Sequence, residues 1–331
     1  MSRRTVSIIR AFAVAALIAV TAGNIQASDS REGRFEKTLT VSGRVSLDVE
    51  TGSGNITIRR GAAGSVAIHG NIRANNSWRD SDADVESRIR AIEQHPPIEQ
   101  DGNTIHIGHG TDRELMRNIS VSYEITLPED STARSQTGSG SINVTGIRGP
   151  LELSTGSGNI SAEDVNAEVT ASTGSGSIGL RNVRAAVRTN TGSGNITGSG
   201  ISGGVNASTG SGSIRFEQNS AGDIEARTGS GNIEISGVKG SLRARTGSGS
   251  IEARGEQTGD WHLHSGSGSV TVRLPANAAF ELDARTSSGS IHTEHSVTVQ
   301  GTIGRHEVRG KVGGGGPMLE VSTSSGSIRI E

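Results

Sequence analysis

The sequence predicts an all-β protein: a single-stranded parallel β-helix (β-solenoid) of ~18-residue coils, with a small helix and hairpin insert near its N-terminus. Three observations lead there. A hexapeptide Thr-Gly-Ser-Gly-(Ser/Asn)-Ile recurs along the chain, and apolar residues between its copies recur at strand spacing. The composition, 48 glycines with 2% aromatic residues, fits neither collagen, which needs glycine at every third position, nor a disordered chain, which lacks β-branched columns.

From the N-terminus, Arg3 and Arg4 precede a short apolar run, Ala11 to Ala22, and a polar stretch ending at Ala27. The run is shorter than the roughly 20 residues of a spanning helix, so residues 1–27 read as a signal peptide. An exported protein is expected, periplasmic, on the cell surface or secreted. No second apolar stretch follows, so no membrane span is expected in the mature chain. The absence of cysteine excludes disulfides, thiolate metal sites, a Cys nucleophile and a lipid-bearing Cys. A net charge of −2 with interspersed signs offers no surface for nucleic acid.

Residues 28–44 are a lead-in strand, and the solenoid is expected over 45–331. Its opening coil is Val45, Leu47, Val49, Ile56, Ile58, Val66 and Ile68. An insert of about 72–118 follows. Within it, 81–94 reads as a helix with Val85, Ile89 and Ile92 on one face, stopped by Pro96-Pro97. Residues 98–107 around Asp101-Gly102 read as a hairpin. The helix is expected to cap the solenoid end, with a ligand-gripping appendage as the alternative.

Val121–Leu127 leads to Pro128 and the repeat array, 137–331. Copies start at Thr51, Thr137, Thr155, Thr173, Thr191, Thr209, Thr228, Thr246, Ser265, Thr286 and Thr323. From Thr137 the intervals are 18, 18, 18, 18, 19, 18, 19, 21 and 37, the last taken as two periods with one degenerate copy. Columns such as Ile142/Ile160/Ile178 and Leu153/Ala171 alternate with polar residues, as strands with one buried face do. The glycines are expected to supply tight bends through positive φ. The fifth position alternates Ser141, Asn159, Ser177, Asn195, Ser213, Asn232, Ser250, which raises a 36-residue coil as an alternative. Such a coil would have a perimeter near ~120 Å and need large core side chains, whereas Ile, Val, Leu and Ala suit a narrow one. Gly313–Gly316 reads as a loop, and 322–331 as one more strand closing the array.

An opening strand pair with Gly-Asn-Ile at Val45–Ile58, a strand ending Leu-Pro at Tyr123–Pro128, tandem Thr-Gly-Ser-Gly-x-Ile units and a terminal Thr-Ser-Ser-Gly-Ser-Ile at Thr323–Ile328 resemble the bacterial putative-adhesin domain family of unknown function, related to autotransporter-adhesin head domains. The resemblance covers nearly all of 35–331. It implies a right-handed β-helix in the cell envelope and brings no catalytic residues. Many relatives carry Gly-Asp-Ile; this chain has Asn or Ser there and keeps Asp only at Asp223-Ile224, in a different column.

An enzyme on this fold would need carboxylates converging on one face beside aromatic platforms. The chain has one Tyr and two Trp, and its acidic pairs Glu129-Asp130 and Glu163-Asp164 fall in turns. His106/His109, His262/His264 and His292/His295 are paired in sequence, but no third metal ligand is identifiable. The glycines match neither a phosphate loop nor a calcium repeat. No catalytic residue, metal site or cofactor is therefore expected. The expected functional surface is a pair of stacked hydroxyl columns: Thr137, Thr155, Thr173, Thr191, Thr209, Thr228 and Thr246 beside Ser139, Ser157, Ser175, Ser193 and Ser211. Its partner would be an envelope glycan or another envelope protein. The competing reading is that these hydroxyls only satisfy turn backbone. The alternatives at the level of function are a glycan-active β-helix enzyme and an envelope-stress sensor that uses the insert as its contact.

Overall fold

Alternating apolar side chains can be buried only if each strand is covered by an identical one, and the coils stack accordingly. The computed structural model describes residues 31–75, 81–110, 112–299, 304 and 306–331; the expected signal peptide lies outside them. Each repeat contributes two strands, for example Leu151–Thr155 and Ile160–Val165. Leu151 pairs in parallel with Val169, Val169 with Val187, and so on through Val205, Ile224, Leu242 and Trp261. The second ladder runs Ile160, Ile178, Ile196, Ile214, Ile233, Ile251, Val270. Each ladder step advances one repeat, so the coil is 18 residues and not 36. The inward residues of both ladders are almost wholly buried.

A third, narrower side closes each coil. Ile147, Val165, Val183 and Ile201 point inward there, joined by bonds such as Arg184 N–H to Val165 O (2.9 Å) and Ser202 N–H to Val183 O (2.8 Å). The chain enters this side through a left-handed corner four residues after Ile142, Ile160, Ile178, Ile196 and Ile233: Gly146, Asp164, Asn182, Gly200 and Gly237, with φ between 53° and 76°. These are the residue types that tolerate that region. Gln218 takes the position in a coil with one extra residue, and its amide donates to Gly203 O and Gly222 O.

At the ends, coil order departs from chain order. Leu319 lies between Trp261 and Leu282, so the last strands, Met318–Ser325 and Ile328–Ile330, slot into the penultimate position. The final segment therefore does not close the array, as the sequence suggested, and no degenerate coil separates Thr286 from Thr323, which are ladder neighbours. The residues between them supply Glu307–Val312, antiparallel along Phe280–Ser288, and Val297–Thr298 beside it. The N-terminal end mirrors this arrangement. Ser46–Ser53 lies between Thr104–Ile107 and Thr132–Ser139, and Ile56–Arg60 between Ile119–Leu127 and Ile142–Thr145. Antiparallel Ser65–Ala74 covers Ile119–Leu127 and is itself covered by Glu32–Thr40. Antiparallel strands interrupt the parallel template at both ends, which guards against edge-to-edge addition.

The helix Asp82–Gln94 packs on this N-terminal layer. Ser81 accepts from the Asp84 N–H as its N-cap, and Val85, Ile89 and Ile92 are buried. Ile89 lies so close to Gly33 that a Cβ there would stand 2.4 Å from its Cγ2.

Tyr123, the chain's one tyrosine, is buried in the same region, edge-on to Phe35 at 6.3 Å, with its hydroxyl unpartnered. Burial pushes its phenol well above the ordinary value. The neutral phenol is favoured only in the folded protein, so its stabilising contribution is complete below the ordinary tyrosine pKa of about 10 and declines as pH rises beyond it. A spectrophotometric titration is expected to show no phenolate until alkaline unfolding. A reversible rise near pH ~10 with the fold intact would contradict the burial.

Candidate functional site

The hexapeptide forms one edge of the solenoid, and each of its positions has a distinct environment. The threonine shares the parity of the apolar strand residues before it (Leu151, Leu153, Thr155), so it points inward. Thr137, Thr155, Thr173, Thr191, Thr209, Thr228 and Thr246 are buried, between 1% and 6% exposed. Each hydroxyl donates to the carbonyl of the fourth-position glycine one coil back: Thr155 to Gly140 O (2.8 Å), Thr173 to Gly158 O (2.9 Å), Thr191 to Gly176 O (2.8 Å). The threonine half of the expected surface is therefore interior. The period-two parity carried that information, and the surface reading passed over it.

The fourth glycine meets the same carbonyl. A Cβ on Gly158 would lie 1.8 Å from Gly140 O, and one on Gly176 1.9 Å from Gly158 O. At the second glycine the corresponding approach is 2.5–2.6 Å. Close coil-to-coil packing demands glycine here, more than the bend itself. The fifth position bonds across coils as well. Asn159 Oδ1 accepts the Ser177 N–H (2.9 Å), Ser177 Oγ accepts the Asn195 N–H (3.3 Å), and Asn195 Oδ1 accepts the Ser213 N–H (2.9 Å).

Only at the third position does the side chain have no such task, the backbone alone bonding from coil to coil, as in Ser175 N–H to Gly156 O (3.1 Å). Ser139, Ser157, Ser175, Ser193 and Ser211 are exposed, stack in register, and their hydroxyls have no partner among the described residues. Ser230, Ser248, Ser267 and Ser325 extend the column. The result is a file of free hydroxyls about 4.8 Å apart, flanked by bare glycines.

The other candidates are engaged locally. Glu129 pairs with Arg148 (2.9 Å) and Arg60 (3.3 Å), Glu163 pairs with Arg181 (3.3 Å), and Asp164 accepts from Asn182 (3.0 Å). His262 Nδ1 lies 2.8 Å from Glu320 and His264 Nδ1 2.9 Å from Ser322, one coil on. His295 packs edge-on against Phe280. His106 and His109 are joined by Asp48, from a strand distant in sequence. No helix among the described residues is long and apolar enough to cross a membrane.

A family model described as Toastrack DUF4097 matches residues 18–331. No curated protein matches the chain. Among solved structures, a putative cell adhesion protein from Clostridium sporogenes is similar at 12% identity, covering 90% of this chain and 99% of that one, with a TM-score of 0.22. Putative adhesins from Parabacteroides distasonis (10% identity, TM-score 0.36) and Bacteroides fragilis (13%, 0.29) each cover 90% of this chain and 97% of theirs. With TM-scores this low, the fold assignment rests on the strand register and the family match.

Proposed function

The chain belongs to the Toastrack DUF4097 family, and from its repeat edge we propose that it is an exported, non-enzymatic, adhesin-like module of the cell envelope that holds a linear glycan along its serine column. One observation carries this reading. Within the hexapeptide the threonine, both glycines and the fifth residue each commit their side chain or its absence to coil stacking, whereas the serine hydroxyl is repeated, exposed and without a hydrogen-bond partner among the described residues. A row of uncharged donor–acceptor hydroxyls at regular spacing complements a polymer that presents hydroxyl and amide groups at regular intervals. Individual contacts of this kind are weak, and many in register add through multivalency. The basic N-terminus with its short apolar run supports export.

The experiment is co-sedimentation of the purified protein with isolated cell envelopes and insoluble peptidoglycan. The combined variant Ser157→Ala, Ser175→Ala, Ser193→Ala, Ser211→Ala is expected to keep the wild-type circular dichroism and Tm, because exposed, unpartnered hydroxyls contribute within about 0.5 kcal/mol each. It is expected to lose at least ~10-fold in binding. Wild-type binding by this variant would remove the serine column from the function.

A further inference from the structure

We propose that Asp48, His106 and His109 form a zinc-class metal site that staples the outermost N-terminal coil to the coil beneath it. Asp48 and His106 are direct cross-strand partners in the parallel pairing of Ser46–Ser53 with Thr104–Ile107, so their side chains leave the sheet on one face. His109 is brought to them by a sharp turn. Gly108 has φ +83° and passes so close to Glu50 that a Cβ would stand 1.9 Å from its carbonyl oxygen. A side chain at 108 would push His109 away. One ligand atom from each of the three residues lies within 4.8 Å of the others.

Two features point to a cation and away from an ordinary polar cluster. His109 Nε2 is buried and makes no hydrogen bond, although Asp48 Oδ1 is 3.3 Å away. Buried ring nitrogens are ordinarily hydrogen-bonded, whereas this one faces the Asp48 carboxylate at ion-pair distance without a hydrogen bond. Two donors bound to zinc at about 2.05 Å with tetrahedral angles are themselves about 3.3 Å apart, so that separation suits an ion between them. The arrangement has a surrounding shell too. Glu99 stands opposite His106 in the hairpin register, and Glu50 Oε2 lies 3.8 Å from His109 Nδ1. The nearest cation in the ladder, Arg134, faces Asp48 in register but is directed to Glu152 (3.8 Å). Two imidazoles and one carboxylate select zinc-like ions over calcium or magnesium, which take oxygen donors. A fourth position remains for water.

The staple would join strands 104–107 and 46–53, which are separated by the whole helical insert. Metal-free, untagged full-length protein, prepared with a chelator, is titrated with ZnCl2 by calorimetry and by thermal unfolding. One equivalent is expected to bind and to raise Tm, as for any ligand of the native state alone, while MgCl2 has no effect. The His106→Ala, His109→Ala variant is expected to lose at least ~100-fold in zinc affinity, two ligands of three being gone. If it does not fold, His109→Gln alone serves, with Co²⁺ as a probe whose tetrahedral visible absorption must disappear. No binding by the wild-type chain, or undiminished zinc binding by these variants, overturns the site. The serine-column reading stands or falls separately, since its sedimentation test needs no metal.

Discussion

Alanine in place of Gly176 is expected to destabilise the protein by about 3 kcal/mol or more, the upper range for overpacking in a closely fitted interior. The added methyl would sit 1.9 Å from Gly158 O. That carbonyl is backbone, held by the stacked coil, so it cannot rotate aside as a flexible side chain would. The φ of Gly176 is outside the left-handed region, which leaves the contact itself as the source of the cost. Relief requires parting the two coils, and parting them also lengthens the Thr173–Gly158 hydrogen bond. A graded series follows from the geometry. Gly174→Ala, with its methyl 2.6 Å from Gly156 O, should cost less, and Ser175→Ala about 0.5 kcal/mol at most. Because solenoid stability is a sum over neighbouring coils, the Gly176 variant should also lose cooperativity, its two halves unfolding at different urea concentrations. Urea denaturation followed by circular dichroism measures both effects. A Gly176→Ala variant as stable as Ser175→Ala would mean that coil spacing is far softer than the glycine file implies.

The same file shows why some features could be read from the sequence and others could not. Ile160, Ile178 and Ile196 announce themselves by period, and so does the helix face Val85, Ile89, Ile92, because both depend on spacing within one segment. The 18-residue coil followed from side-chain size. The Ser/Asn alternation looked like evidence against it, because the bond from Asn159 to the Ser177 amide joins coils and cannot be seen within one. Coil order at the ends was hidden for a related reason. Units with the same motif can stack on any other, so nothing in the motif says that Leu319 belongs between Trp261 and Leu282. The histidine pair was visible, yet Asp48 was not, because only the register of strands from either side of the insert brings it to His106. Interactions along the chain leave a trace in sequence, while interactions between coils leave one only if every coil repeats them.

Phe216→Ala is expected to cost about 3–5 kcal/mol, the usual price of emptying a phenylalanine site in a closed core. Phe216 is 1% exposed and occupies an inward column between Gly198 and Ile235. The narrow core holds a ring there only because the preceding coil has no side chain. A Cβ on Gly198 would stand 2.3 Å from Phe216 Cε1, so Gly198→Ala alone should also destabilise, by about 1–3 kcal/mol. The two positions share one volume, and their effects should not add. In the double variant the alanine methyl enters space that the ring has left, so the combined cost should fall short of the sum by about 0.5–3 kcal/mol. The neighbouring pair Ala162 and Leu180 shows the same compensation in milder form, a small residue beside a large one in successive coils. From Ala162 to Phe216 this column alternates small and large residues (Ala162, Leu180, Gly198, Phe216), so a bulky side chain in one coil occupies space that its neighbour leaves. Denaturant midpoints for the two single variants and the double variant test the claim. Strict additivity would show that each coil packs its own interior independently of the next.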